Sequence, residues 1–116
     1  MNAGLVVIVA TVVAFFLLPR ILGARRVSSD IVRQKLAAGA KVIDVRSPQE
    51  YRSGAYPGAV NIPLQILHSR LGELPKDRAI VLYCASGARS AAAAAMLKRA
   101  GFVDVVNAGG IADLPH

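Results

Sequence analysis

Cys84-Ala85-Ser86-Gly87-Ala88-Arg89 contains the only cysteine of this 116-residue chain, with a glycine three residues on and an arginine five residues on. A thiolate is a strong nucleophile, and it forms near neutral pH only where hydrogen-bond donors and positive charge surround the sulfur. Ahead of the cysteine, Ala79-Ile80-Val81-Leu82-Tyr83 is a short apolar run of β-preferring residues, the pattern of a strand buried on both faces. Behind Arg89 come Ser90, five alanines, Met96, Leu97, Lys98 and Arg99, mostly strong helix formers, with Gly101 placed for a left-handed stop. The cysteine is therefore expected at a strand-to-helix turn, where unpaired backbone N–H groups and the helix dipole favour an anion. Gly87 lets the loop curl, small residues at Ala85, Ser86 and Ala88 leave the amides accessible, and Arg89 adds a permanent cation. The plain alternative is a buried small hydrophobe, the usual fate of a lone cysteine. A core position, however, needs neither the glycine, nor the arginine, nor the helix start.

The elements that position this loop alternate between the two types. Ser28 or Ser29 can cap a helix with Asp30 in its first turn and Ile31, Val32 and Leu36 on its apolar face, ending near Gly39. Lys41 to Val45 reads as a strand, Ser47 to Tyr51 as a capped helical turn with an early proline, and Val60 to Ile62 as a second short strand. Leu64 to Leu71 can form a further helix, and Val103 to Val106 a last strand leading into Ala108-Gly109-Gly110. Strands alternating with helices predict an α/β domain with a mainly parallel sheet and its active loop at the carboxyl end of a central strand. Asp44 and Arg46, at the end of the first strand, read as an ion-pair set with Glu50 that holds the following turn; a substrate contact is the other role open to Arg46. Gly54, Pro57 and Gly58 shape a turn, and Tyr56 is expected to pack.

The first segment is of a different kind. No side chain from Met1 to Pro19 is charged, and with Ile21 and Leu22 the run is long enough to span a bilayer. Arg20, Arg25 and Arg26 follow the apolar stretch, whereas a cleaved signal peptide carries its charges first, so residues 1–26 are expected to be an uncleaved anchor and residues 27–116 the domain. The positive-inside rule then puts the N-terminus outside and the domain in the cytoplasm, at the inner membrane of the cell. A single thiol suits that reducing compartment. The net charge is +7, yet the domain has no clustered basic run, no zinc-spaced cysteine and histidine set, and no basic-aromatic interleaving. Nucleic acid is accordingly not an expected partner, and no metal site is expected, because His68 and His116 lack ligand partners.

From Ser28 to the C-terminus the chain resembles the rhodanese family of sulfurtransferases. Asp44-Val45-Arg46-Ser47-Pro48-Gln49-Glu50-Tyr51 is similar to the family's first motif, and Gly54-Ala55-Tyr56-Pro57-Gly58-Ala59-Val60-Asn61-Ile62-Pro63 to its second. The stretch Cys84 to Arg89 is similar to its active-site loop, with Gly109-Gly110 following in order. The resemblance implies a three-layer domain whose central parallel sheet is flanked by helices, here preceded by one transmembrane helix. It also implies that Cys84 takes sulfur from a donor, thiosulfate or a persulfide, holds it as a persulfide, and passes it to a thiol or cyanide acceptor without a cofactor. The amides of Ala85, Ser86, Gly87, Ala88 and Arg89 would cradle the outer sulfur, with Arg89 stabilising the charge, Arg46 as a further substrate contact and Asp44 as a structural neighbour. Related phosphatases have one more residue in this loop, so four intervening residues imply sulfur rather than phosphate or arsenate. Members that use thiosulfate often carry a basic or polar residue after the cysteine, where this chain has Ala85. A membrane-associated protein is an expected partner, and the alternative to an enzyme is an idle, tethered binding module.

Overall fold

The computed structural model describes residues 25–116. The expected spanning segment lies outside these residues, apart from Arg25 and Arg26 at its end. Among the described residues no helix is long and apolar enough to cross a membrane.

Helix α1 (Ser29–Ala37) begins where the Ser28 hydroxyl accepts the Ile31 N–H at 3.4 Å, with Asp30 in the first turn. Then follow β1 (Lys41–Asp44), α2 (Pro48–Arg52), β2 (Val60–Asn61), α3 (Leu64–Leu67), a 3-10 segment at His68–Glu73, β3 (Ile80–Cys84), α4 (Ala88–Arg99), β4 (Val105–Gly110) and a closing 3-10 turn at Ile111–Asp113. All strand pairs are parallel, in the order β2-β1-β3-β4. That order puts the cysteine strand inside the sheet, between β1 and β4.

Side-chain alternation along β3 divides the interior into two cores. Ile80, Leu82 and Cys84 pack with Leu67, Ala93, Ala94, Leu97 and Phe102 on one face, while Val81 and Tyr83 pack with Val32, Val106, Ala108 and Leu114 on the other. One sheet with an apolar core on each side is the expected three-layer arrangement. Ala93 and Ala94 are fully buried, so their methyl groups set α4 close against the sheet and draw its first turn up to the end of β3.

Two elements differ from the sequence expectation by more than one residue at an end. The helix expected over Leu64 to Leu71 stops at Leu67 and tightens to 3-10, with Arg70 at a non-helical φ of −119°. Through this segment Leu71 and Leu74 reach the core. The last strand, expected over Val103 to Val106, runs instead from Val105 to Gly110. Val103 is 90% exposed, while a register shift between Leu82 and Cys84 carries the pairing on until Gly110 stands opposite Cys84. Outside the strands, the Val27 N–H donates to the Asn107 carbonyl at 2.9 Å, and Arg26 bridges to the same residue.

Candidate active site

Cys84 ends β3, three residues follow, and α4 begins with Gly87 as its cap at φ +109°, a left-handed conformation that a residue with a Cβ would resist. This turn folds the chain back over the sulfur. The Gly87 N–H donates to Cys84 Sγ at 3.0 Å, and the Ser90 hydroxyl oxygen lies 3.4 Å from it. Burial pushes the thiol up, but hydrogen bonds from the Ser90 hydroxyl and from the amides of Ser90, Gly87 and Ser86 outweigh it, holding the thiol below its ordinary value. The sulfur thus sits where an anion is favoured, at the start of a twelve-residue helix.

Glycines on β4 give the loop its seat. A Cβ on Gly110 would collide with the Ala85 carbonyl, and one on Gly87 would stand 3.4 Å from the Gly109 Cα. Gly109, at φ +92°, carries the Arg26 side chain on its other side, where Arg26 pairs with Asp113 at 2.9 Å. The Gly109-Gly110 pair therefore admits the loop backbone on one side and the Arg26 and Asp113 side chains on the other.

Arg89 lies in the first turn of α4, and its guanidinium makes a two-pronged pair with Glu50, at 2.7 and 3.0 Å. Arg89, together with the Ser47 amide, holds the Glu50 carboxyl down at about 2. Glu50 also completes a capping box with Ser47, accepting the Ser47 N–H at 3.1 Å while the Ser47 hydroxyl accepts the Glu50 N–H. The set expected of Asp44, Arg46 and Glu50 is accordingly divided. Glu50, at the third position of α2, is turned back toward the helix start and so meets Arg89 rather than Arg46.

Arg46 closes on Asp44 instead. Its Nε donates at 3.0 and 3.1 Å and its Nη2 at 2.7 Å to the Asp44 carboxylate, and Nη2 also donates to the Gly54 carbonyl at 2.8 Å. The Tyr83 hydroxyl donates to Asp44 Oδ2 at 2.6 Å and accepts the Tyr56 N–H at 2.9 Å. Burial together with the bond to Asp44 pushes Tyr83 up to about 12, so it stays a neutral donor. Tyr83 neighbours Cys84 in sequence and therefore points to the opposite face of the sheet. Arg46 is thus placed in a buried network that ties the turn after β1 to the loop before β2. Tyr56 packs edge-on against Tyr83, with centroids 6.4 Å apart, and its hydroxyl reaches the Pro115 carbonyl.

The loop residues Ala85, Ser86 and Ala88 stand exposed around the buried sulfur. Among the described residues no group of histidines, cysteines and carboxylates could hold a metal. Two residues of the site escaped the sequence reading, Ser90 and Asn107. Both are buried, and Ser90 Oγ lies 2.7 Å from Asn107 Oδ1. A serine directly after the loop arginine was the available signal, but it reads equally as a neutral helix residue.

Residues 28–113 match the family model described as the rhodanese-like domain. A sulfurtransferase of Allochromatium vinosum is 40% identical over 83 residues, which cover 70% of this chain and 78% of that protein. The thiosulfate sulfurtransferase PspE of Escherichia coli is 36% identical over 74 residues, covering 62% and 71%. Among solved structures, the human single-domain sulfurtransferase TSTD1 matches with a TM-score of 0.67 at 30% identity, over 73% of this chain and 88% of that one. A thiol held below its ordinary value by loop amides, in a parallel sheet of this order and with these similarities, places the chain in the rhodanese-like domain family, as a rhodanese-like sulfurtransferase.

Proposed function

We propose that the protein carries sulfane sulfur as a persulfide on Cys84, taken from a donor and passed to a thiol acceptor, at a membrane to which residues 1–26 anchor it. The observation that supports this most is the Gly87 amide 3.0 Å from Cys84 Sγ with the thiol held low. In the first half-reaction the thiolate attacks the outer sulfur of the donor, and the donor's remaining part leaves with the bonding electron pair. In the second, an acceptor thiolate attacks that outer sulfur, and Cys84 leaves again as a thiolate. The loop amides face charge that returns to this place in both steps.

The donor we favour is a persulfide rather than the thiosulfate dianion. The rim of the loop presents the methyl groups of Ala85 and Ala88, and two of the nearby cations, Arg89 and Arg26, are already paired with Glu50 and Asp113. A recess of about 600 Å³ runs along the loop from Ser86 and Gly87 to Arg25 and Arg26, room for the body of a carrier larger than thiosulfate. Incubation of the full-length protein with a low-molecular-weight persulfide should add one sulfur to its intact mass, removable by cyanide or excess thiol. Thiosulfate should load it less efficiently. Failure of every donor to add sulfur would sink the transfer reading, whereas faster loading by thiosulfate would reverse only the choice of donor.

For the anchor, support comes from the uncharged run up to Pro19 and the three arginines behind it. The protein is expected to stay in the membrane fraction after a high-salt wash, with the domain digested by protease in inside-out vesicles. Digestion in right-side-out vesicles alone would contradict the cytoplasmic placement.

A further inference from the structure

Ser90 has a buried hydroxyl with more acceptors around it than it has protons. Its oxygen lies 2.7 Å from Asn107 Oδ1, 3.1 Å from the Gly87 carbonyl, 3.3 Å from the Gly109 carbonyl and 3.4 Å from Cys84 Sγ. A hydroxyl has one proton and can donate to one of these at a time. The shortest contact identifies its resting acceptor as Asn107 Oδ1. That oxygen does not depend on Ser90, because the Gly109 N–H also donates to it, at 2.9 Å. Cys84 Sγ, by contrast, changes its demand during the reaction. As a thiol it can donate to Ser90 Oγ; as a thiolate it can only accept.

We infer that the Ser90 hydroxyl is a rotor between Asn107 and Cys84, donating to the sulfur only while that sulfur is an anion, and so stabilising Cys84 both as attacking nucleophile and as leaving group. When the thiol proton is lost to solvent, the hydroxyl turns from Asn107 Oδ1 to Sγ, and Asn107 keeps the Gly109 amide. Once the outer sulfur is bound, the charge moves to that sulfur, Sγ becomes neutral, and the hydroxyl returns to Asn107. When the acceptor takes the outer sulfur, the electron pair of the S–S bond returns to Sγ and the hydroxyl turns to it again. Asn107 is then a positioning residue, and Ser90 touches the reacting atom. No heavy atom has to move, which suits a side chain held at zero exposure between a helix and a strand. The role rests on the sulfur-transfer reading for its second half, but the thiolate half stands without it.

The test is the pH dependence of Cys84 alkylation by iodoacetamide in the full-length protein, where the only cysteine reports alone. A hydrogen bond to a charged partner accounts for about one pH unit in the midpoint, so Ser90→Ala should move the midpoint up by that much and slow alkylation about threefold at a pH below both midpoints. The rate at the alkaline plateau should rise by no more than about threefold, because the thiolate of higher pKa is the better nucleophile, whereas a structural disturbance that hides the sulfur would lower it. Ser90→Thr, which keeps the hydroxyl, should titrate close to the native protein. The charged groups around the site stay in place in both variants: Arg89 with Glu50 from α4 and α2, Arg26 with Asp113 beyond Gly109, and Asp44 with Arg46 beside Tyr83. A native midpoint in Ser90→Ala overturns the inference, and so does an equal shift in Ser90→Thr. Alkylation needs no sulfur donor, so a native chain that titrates low but never gains sulfur would remove the transfer reading and leave the rotor standing.

Discussion

Replacing Cys84 with serine is expected to abolish sulfur loading and to lower transfer to an acceptor by on the order of a thousandfold or more. A serine hydroxyl deprotonates far above neutral pH, and the donors that hold a thiolate in this loop cannot make an alkoxide of it. The fold should survive. Cys84 is 1% exposed, and a hydroxyl in its place would still meet the Gly87 N–H and the Ser90 hydroxyl, so it would not be left unsatisfied. Intact mass after incubation with a persulfide donor should show no added sulfur, while the thermal midpoint stays near that of the native protein. No other cysteine in the chain can substitute. Sulfur gain in the Cys84→Ser protein would therefore rule out the persulfide mechanism, and an unfolded variant would show up in the thermal midpoint.

Arg46→Met should cost about 3 kcal/mol of stability, a large share of what a domain of this size has. The loss comes from Asp44, whose fully buried carboxyl would be left with no cation beside it, at a cost whether it stays charged or takes up a proton. Two bonds remain to the carboxylate, from the Arg46 backbone N–H at 2.9 Å and from the Tyr83 hydroxyl at 2.6 Å, which argues for the lower end of the range known for broken buried pairs. The Gly54 carbonyl loses its donor as well. The double variant Asp44→Asn with Arg46→Met removes the stranded charge and should recover more than half of the loss. Urea unfolding of the single and double variants measures both quantities. A cost below about 1 kcal/mol for the single variant, the range of an exposed pair, would mean that the pair is solvated and not a buried tie. Because the network lies across the sheet from Cys84, the midpoint of thiol titration should move little in either variant.

The division of the set expected of Asp44, Arg46 and Glu50 has a physical cause. Glu50 and Arg89 are 39 residues apart, and so are Asp44 and Tyr83. Spacing along a chain says which side chains share a helix face or a strand face, but not which face of one element arrives at which face of another. Near neighbours alone group Glu50 with Arg46, four residues away, and not with Arg89. The capping box could be read from Ser47 and Glu50 themselves, and it is this local motif that turns the carboxylate toward α4. The end of β4 was missed for a related reason. Asn107, Gly109 and Gly110 are poor strand formers by type, and only the strand beside them, with its shifted register, holds them in the sheet.

Sequence alone determined the order of strands and helices, the strand-to-helix turn at Cys84, and the glycine at Gly87, because each rests on residues within one turn or one strand of its neighbours. Ser90 beneath the sulfur, Asn107 beneath Ser90, the Glu50 partner that neutralises Arg89, and the glycine seat at Gly109-Gly110 were decided by tertiary structure. Each of these depends on how closely α2, α4 and β4 pack around the end of β3, a distance set by the whole core and not written in any one segment.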